Sequence, residues 1–211
     1  MPVSSIEDAP AARELNISGK LTDIDVRHLW ASDQGLLLAH FLRLDPETRR
    51  LRFGNFVNDT FLEKYVAGLF EPQTVVFGAF VEGKLVGVGE VRGLPGVFHF
   101  PGARAGNAEA EAAFSVERPW QDMGVGTRLL TRMVAAAQNR GVDHLFMVCL
   151  RENRKMQHLA ARHDAIVKVD TEDADAHIYP SWPTPSSIIE ELAGEAAAYT
   201  HDLMRRLMVR G

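Results

Sequence analysis

The chain has few of the residues that bind metals or cross-link a fold. Its 211 residues include a single cysteine, Cys149, so an internal disulfide and a Cys-x-x-Cys pair are both excluded. The eight histidines are scattered without metal-ligand spacing, and the chain has no internal repeat. We therefore expect no metal site. Because Cys149 lies in an apolar run, its position favours core packing over a role as an acyl-carrying nucleophile.

Long apolar runs are also absent. No stretch approaches the roughly 20 residues that a membrane-spanning helix needs, and the first residues lack the basic and apolar regions of a signal peptide. The sequence thus predicts a cytoplasmic protein with no membrane partner. The formal net charge of -5 disfavours a nucleic-acid partner and suits basic substrates. A chain of this length, 46% hydrophobic, can bury a sizeable core.

The most informative pattern is a glycine-containing turn between an apolar strand, predicted at residues 112–117, and a helix. The turn reads Gln121-Asp122-Met123-Gly124-Val125-Gly126. Glycine has no Cβ where a backbone approaches a ligand closely, and the N–H groups and dipole of a helix start favour an anion. The pattern predicts a pyrophosphate cradle and a phosphorylated cofactor. A plain strand-to-helix turn is the alternative explanation when Gly-x-Gly stands alone.

The flanking segments favour the cradle. Apolar residues at helical spacing predict a helix over about 125–140, closed by a left-handed cap at Gly141. The continuous apolar run at residues 145–150 predicts a central strand covered on both faces. A strand, a crossover helix and a second strand form a unit with parallel strands. The cradle should therefore lie at the carboxyl ends of these strands.

These residues resemble the GNAT superfamily of acyl-CoA-dependent N-acetyltransferases, whose signature is Gln or Arg-x-x-Gly-x-Gly or Ala between a strand and a helix. Gln121, Gly124 and Gly126 match it, and Asn153 matches the asparagine that begins the family's next helix. The stretch from Leu42 to Phe53 resembles the helical entry of bacterial Pat-like GNAT domains. The resemblance implies an α/β (α+β) fold with a mixed sheet, antiparallel N-terminal strands and a splayed parallel pair at the cofactor.

The resemblance also implies the cofactor and the residues that hold it. Acetyl-CoA would donate its acetyl group directly to a primary amine, either a small molecule or a protein lysine. Three strand residues would lie along the pantetheine arm through their main chain, and the turn would wrap the phosphates as an anion-binding nest. Asn153 and Met156 would contact the arm from across, although capping a helix is the alternative role for Asn153. The cofactor-binding set is then Phe114, Ser115, Val116, Gln121, Asp122, Met123, Gly124, Val125, Gly126, Thr127, Asn153 and Met156.

A general base is useful because an ammonium has no lone pair for attack on a thioester. We predict that Glu111 is this base, since it precedes the thioester region and related Pat-like domains carry a glutamate in the same Ala-Glu context. A carboxylate in a partly apolar cleft is a better proton acceptor than a solvated one. Glu109 shares the strand face and is the alternative base. The alternative interpretation is that both glutamates belong to a solvated strand edge.

The sequence departs from the family pattern at the general acid. Many members place a tyrosine seven residues after the asparagine, where this chain has Ala160. Solvent, His163 and Tyr179 are weak replacements, so no acid is assigned. A non-catalytic acyl-CoA-binding regulatory module is therefore the alternative function.

The remaining segments predict three regions. Residues 1–18 form a loose arm, residues 19–185 the acetyltransferase domain, and residues 186–211 an amphipathic helical extension. The domain contains a first strand within 21–29, helices near residues 36–42, 46–53 and 59–69, an antiparallel hairpin of 74–80 and 84–91, a short strand at 97–100 and a strand at 176–179. We interpret Arg49, Arg50 and Arg52 as a solvated face.

The extension is predicted to begin with a capping box, Ser187-x-x-Glu190. Its apolar stripe runs from Ile188 to Leu207 and must be covered. The chain's own sheet, a second copy in a homodimer or a regulatory protein are the three candidates.

Overall fold

A seven-stranded mixed sheet organises the chain. The computed structural model describes residues 23–96 and 108–209, so the predicted arm at 1–18 and the strand at 97–100 lie outside the described residues. The strands are β1 (Asp25–Leu29), β2 (Thr74–Val81), β3 (Lys84–Arg92), β4 (Glu109–Val116), β5 (His144–Leu150), β6 (Ile166–Val169) and β7 (Asp173–Ile178). Their order in the sheet is β1-β2-β3-β4-β5-β7-β6. Only β4 and β5 pair in parallel; the other neighbours are antiparallel.

Within residues 23–96 and 108–209, six α-helices cover the sheet: α1 (Gln34–Arg43), α2 (Pro46–Phe53), α3 (Asp59–Ala67), α4 (Val125–Asn139), α5 (Arg154–Ala161) and α6 (Pro185–Val209). Local signals set two of their starts. The Asp45 carboxylate accepts from the Thr48 N–H ahead of Pro46, and the Asn58 side chain accepts from the Phe61 N–H. Both are N-caps that satisfy an amide with no intrahelical partner.

Two apolar cores lie on opposite faces of the sheet. One contains α4, whose Leu129, Leu130 and Met133 are fully buried among residues of β2 to β5 and β7. The other contains α1 and α3 against β1 to β3, with Phe41 and Leu62 fully buried. Because successive side chains of a strand point to opposite faces, β4 presents Ala110 and Ala112 to the α4 core. The opposite face of β4 therefore carries Glu109, Glu111, Ala113 and Ser115.

The α6 helix docks through a polar and small-residue face. Glu191 is buried and its carboxylate accepts from Asn139 Nδ2 at 2.6 Å and from Arg140 Nη1 at 2.5 Å. Ala198 is buried, whereas Ile189, Leu192, Tyr199 and Leu203 are exposed. The apolar stripe predicted for this helix is thus not its docking face among the described residues.

Two predictions about α6, its first residue and its capping box, need correction. The helix α6 begins at Pro185, and its capping box joins Thr184 and Ser187, each hydroxyl accepting from the other residue's N–H at 3.1 Å. Thr184 is therefore the first residue of the capping box and Ser187 is its last. The predicted box began at Ser187, but Pro185 occupies the first helical position, so the helix starts earlier. The strand β6 was not predicted, since its four residues carry a weak apolar pattern. None of the described helices is both long and apolar enough to span a membrane.

Candidate active site

A slot opens between the two parallel strands. Pairing of β4 with β5 covers only Glu109↔His144, Ala110↔Leu145 and Glu111↔Phe146. Beyond this point β4 continues to Val116 and β5 to Leu150, each still paired with its other neighbour. The edge of β4 that faces β5 is therefore unpaired beyond Glu111, and its main-chain groups need partners. This confirms the predicted splayed pair and leaves an opening for an extended ligand.

The glycine turn and the uncapped start of α4 lie at the wide end of the slot. Gly124 has φ of 95°, a left-handed conformation that glycine adopts without strain. The next residue starts α4, a helix of 15 residues, and no described side chain caps it. At Gly126 an added Cβ would lie 3.1 Å from Leu159 Cδ2, so glycine there also permits close packing of α4 on α5. An uncapped helix start of this kind, with its free N–H groups and dipole, is an environment that favours an anion.

Side-chain hydrogen bonds hold the glycine turn in position. Gln121 Nε2 donates to the Val116 carbonyl at 3.1 Å, which ties the turn to the end of β4. From α5, Lys155 Nζ donates to Gln121 Oε1 at 3.2 Å and to Asp122 Oδ2 at 2.6 Å. These bonds hold the turn against both walls of the slot.

A cavity of about 500 Å³ occupies this position. Ten of the twelve predicted cofactor residues line it: Phe114, Ser115, Val116, Gln121, Asp122, Gly124, Gly126, Thr127, Asn153 and Met156. The other two, Met123 and Val125, pack into the α4 core instead. Asn153 caps α5, since its side chain accepts from the Met156 N–H at 3.2 Å, and the residue also lines the cavity; its contact with the pantetheine arm stays a prediction.

Sequence reasoning missed a set of basic residues at the cavity. They lie on α2 and on or just after α5: Arg52, Arg154, Lys155, His158 and Arg162. Asp122 is the only acidic residue among the described residues that line the cavity. An excess of positive charge suits phosphate groups. The signal was present in the α5 sequence, where basic residues recur at helical spacing on the face that meets the turn.

Arg52 belongs to a buried polar cluster on the same side of the sheet as Glu111. Its side chain is only 10% exposed, against the predicted solvated face. The guanidinium pairs with the buried carboxylate of Glu90 and donates to Tyr65 Oη at 2.7 Å. Tyr65 also donates to Glu90, and Arg92 Nε donates to the second Glu90 oxygen at 3.0 Å. Burial lowers the pKa of Arg52 from its usual value.

The predicted base lies at the closed end of the slot. Glu111 is the last residue of β4 that pairs with β5, and it is exposed and outside the cavity lining. Glu109, two residues earlier, has Oε1 3.1 Å from His144 Nδ1. Ala160 is fully buried in the α4 core, Tyr179 is exposed and stacks on His144, and His163 does not line the cavity. None of the three supplies an acid within the cavity.

A second polar network lies under the cavity wall. His40, on α1, is fully buried, with Nε2 3.0 Å from Ser115 Oγ and Nδ1 3.3 Å from Glu117 Oε1. Arg43 donates to the same Glu117 oxygen through Nε and Nη2 at 2.9 and 2.7 Å. Burial lowers the pKa of His40, although the Glu117 carboxylate opposes that effect. Burial raises the pKa of Glu117, but hydrogen bonds from His40 and Arg43 outweigh it and lower the value to about 2.

Solved structures with the same fold include several acetyltransferases. The GNAT domain of S. lividans PAT is 21% identical, with a TM-score of 0.61 over 73% of this chain and 89% of that one. A putative acetyltransferase from Salmonella typhimurium, solved with acetyl-CoA, is 11% identical, with a TM-score of 0.56 over 77% and 97%. A ribosomal L7/L12 alpha-N-protein acetyltransferase in complex with coenzyme A is 13% identical, with a TM-score of 0.55 over 78% and 98%. These likenesses concern the fold.

No curated protein sequence matched the chain. The model of the acetyltransferase (GNAT) family matches residues 38–164, which run from α1 through the turn to the end of α5. That span contains the slot, the turn and the cavity. The chain therefore belongs to the GNAT acetyltransferase family.

Proposed function

We propose that the protein transfers an acetyl group from acetyl-CoA to a primary amine. The observation that carries the proposal is the uncapped start of α4, which faces a slot in the sheet and a cavity rich in basic side chains. Coenzyme A presents phosphates and a long thin arm, and these two features match that combination. The acetyl-CoA and coenzyme A complexes of the Salmonella protein and the ribosomal-protein acetyltransferase support the choice of cofactor.

Different residues would bind different parts of the cofactor. The amides of Gly124, Val125 and Gly126 would bind the pyrophosphate, helped by the helix dipole. Phe114, Ser115 and Val116 would offer main-chain groups to the pantetheine arm along the unpaired edge of β4. Arg154 and Arg162 would supply charge to the remaining phosphate. The thioester would then lie toward the closed end of the slot.

The reaction would be a direct displacement. The neutral amine attacks the thioester carbonyl, the carbon–sulfur bond breaks, and the thiolate leaves with a proton from solvent. Glu111 would remove the proton that the attacking nitrogen loses, because it stands where the slot closes and is open to solvent. Either a small amine or a protein lysine fits this chemistry.

A thiol-release assay tests the proposal. Purified full-length protein is incubated with acetyl-CoA and either a panel of small amines or lysine-containing peptides, and the acetylated product is identified by mass spectrometry. The expected result is amine-dependent release of coenzyme A with a matching acetylated amine. Calorimetry with coenzyme A runs in parallel, because an absence of binding would refute the assignment of the slot.

The non-catalytic alternative has one observation in its favour. The position at which many relatives carry a tyrosine is Ala160, which is buried in the core. A binding module would bind coenzyme A in the calorimeter and yet acetylate no amine of the panel. The two measurements together therefore separate the enzyme from the module.

A further inference from the structure

The buried network beneath the cavity has the composition and order of a nucleophilic triad. Ser115 Oγ, the His40 imidazole and the Glu117 carboxylate form a chain with contacts of 3.0 and 3.3 Å. Both distances fall at or near the reach expected for a nucleophile, a base and an orienting carboxylate. The three side chains come from β4, α1 and the residue after β4, so only the fold brings them together.

The protonation pattern of the network follows from its partners. The Glu117 carboxylate accepts two hydrogen bonds from Arg43 and lies 3.4 Å from Lys84 Nζ, so it is ionised and accepts only. His40 must then carry its proton on Nδ1, facing Glu117, because two acceptors repel each other. This leaves the lone pair of Nε2 for the Ser115 hydroxyl, which donates to it. A neutral histidine in this tautomer is the base that a serine nucleophile requires.

Ser115 also meets the cavity. It is one of the residues that line it, between Phe114 and Val116 on the unpaired stretch of β4. With its proton directed at His40, the oxygen keeps lone pairs that accept no hydrogen bond from the described residues. Main-chain N–H groups on the same unpaired edge are available to polarise a carbonyl, as in an oxyanion hole.

We propose that Ser115, His40 and Glu117 form a second acyl-transfer site that hydrolyses acyl-CoA thioesters through an acyl-serine. This inference rests on the proposed binding of acetyl-CoA in the same slot. It requires a second position of the pantetheine arm, in which the thioester is drawn back from Glu111 at the closed end of the slot to Ser115. Ser115 Oγ attacks the thioester carbonyl and its proton passes to His40 Nε2. The carbon–sulfur bond breaks, and the thiolate takes that proton and leaves as coenzyme A. Water then attacks the ester, His40 accepts a proton and returns it to Ser115 Oγ, and the carboxylic acid is released.

The direct test looks for the ester on the unmodified protein. Full-length protein is mixed with acetyl-CoA in the absence of any amine, quenched with acid over a time course and digested for peptide mass spectrometry. The expected result is an acetyl group on the Ser115 peptide that hydroxylamine removes, as it removes an ester but not an amide. Thiol release without amine should accompany it. An acetyl group found only on lysines or on Cys149, with none on Ser115, overturns the proposal.

Variants separate catalysis from structural support. Ser115→Ala should abolish the ester, and His40→Gln should reduce its rate of formation by about 100-fold, the scale of a lost general base. His177→Gln is the matched control, since that histidine lies on β7 outside the cavity, and it should leave ester formation unchanged. Circular dichroism and coenzyme A binding check that each variant is folded. Equal amine-independent thiol release by folded Ser115→Ala and the unmodified protein contradicts the proposal.

The test of the triad and the test of amine acetylation can fail independently of each other. Amine acetylation without an ester at Ser115 would leave direct transfer standing and refute only the triad. An ester at Ser115 and hydrolysis of acetyl-CoA, without acetylation of any amine, would support the triad and refute direct transfer to an amine.

Discussion

At the scale of single residues, one substitution separates the candidate bases. Glu111→Gln should lower turnover on a good amine by about 100-fold at neutral pH, because an amide cannot accept the proton. Binding of coenzyme A should stay unchanged, since Glu111 lies outside the cavity lining. The measurement is steady-state kinetics over a range of pH, with Glu109→Gln as the comparison. Unchanged turnover and an unchanged pH profile in Glu111→Gln would exclude it as the base.

A second residue-scale prediction concerns the glycine before α4. Gly124→Ala forces a side chain into a left-handed conformation with φ of 95°, which costs about 1–3 kcal/mol in the free energy of unfolding. The added methyl also narrows the approach to the amides, so coenzyme A affinity should fall. Urea denaturation and calorimetry measure the two effects. Gly35→Ala is the control, because that glycine lies in α1 with open space around its Cα and should lose neither property.

At the scale of elements, α6 depends on a buried charge pair instead of an apolar face. Glu191→Ala would remove the carboxylate that lies 2.5 Å from the buried guanidinium of Arg140 and leave it the longer contact to Glu195 at 3.6 Å. Removing one member of a buried pair typically costs about 3–5 kcal/mol, and we expect a loss of that order in urea denaturation. Glu190→Ala changes the exposed neighbour on the same helix and should have little effect. A similar small effect for both would show that the pair does not fasten α6.

The exposed side of α6 bears on assembly. Ile189, Leu192, Ala196, Tyr199 and Leu203 follow one another at intervals of three and four residues, the spacing of a helix–helix seam. The homodimer predicted from the sequence would cover this side, and it stays a prediction.

Element positions were more predictable than side-chain environments. Strand and helix types follow from local periodicity, so α4 and the β2–β3 hairpin agree with the predictions made from the sequence. The environment of Arg52 differs from the predicted solvated face, because its burial depends on Glu90, which is 38 residues away in the chain. Local sequence carries no information about such a distant partner.

At the scale of the whole molecule, buried histidines make stability depend on pH. Burial, together with the smaller effect of nearby Arg140, lowers the pKa of His28 from 6.5 to about 4. The unfolded chain binds a proton at His28 below about pH 6.5, whereas the folded protein does so only near pH 4. Acid therefore favours the unfolded state across that window, and burial of His40 acts in the same direction.

The expected loss is measurable. Between about pH 7 and about pH 5, the free energy of unfolding should fall by about 2 kcal/mol on account of His28 alone. The variant His28→Phe keeps the ring beside Trp30 and Phe77 but cannot titrate, so it should lose that part of the dependence. Urea denaturation at both pH values measures it. The same slope in both proteins would mean that His28 is not protonated differently in the two states.

The sequence by itself determined the strand–turn–helix unit beside the slot, because that unit follows from short-range patterns, and its resemblance to the GNAT family implied the rest of the fold. A glycine turn between a strand and an amphipathic helix requires few neighbours to be recognised, and Gln121, Gly124 and Gly126 were enough to place the cradle. The tertiary structure alone decided which side chains meet across the slot. The contacts of His40 with Ser115 and of Arg52 with Glu90 join residues 75 and 38 positions apart, and only the packing of α1 and α2 on the sheet makes them neighbours.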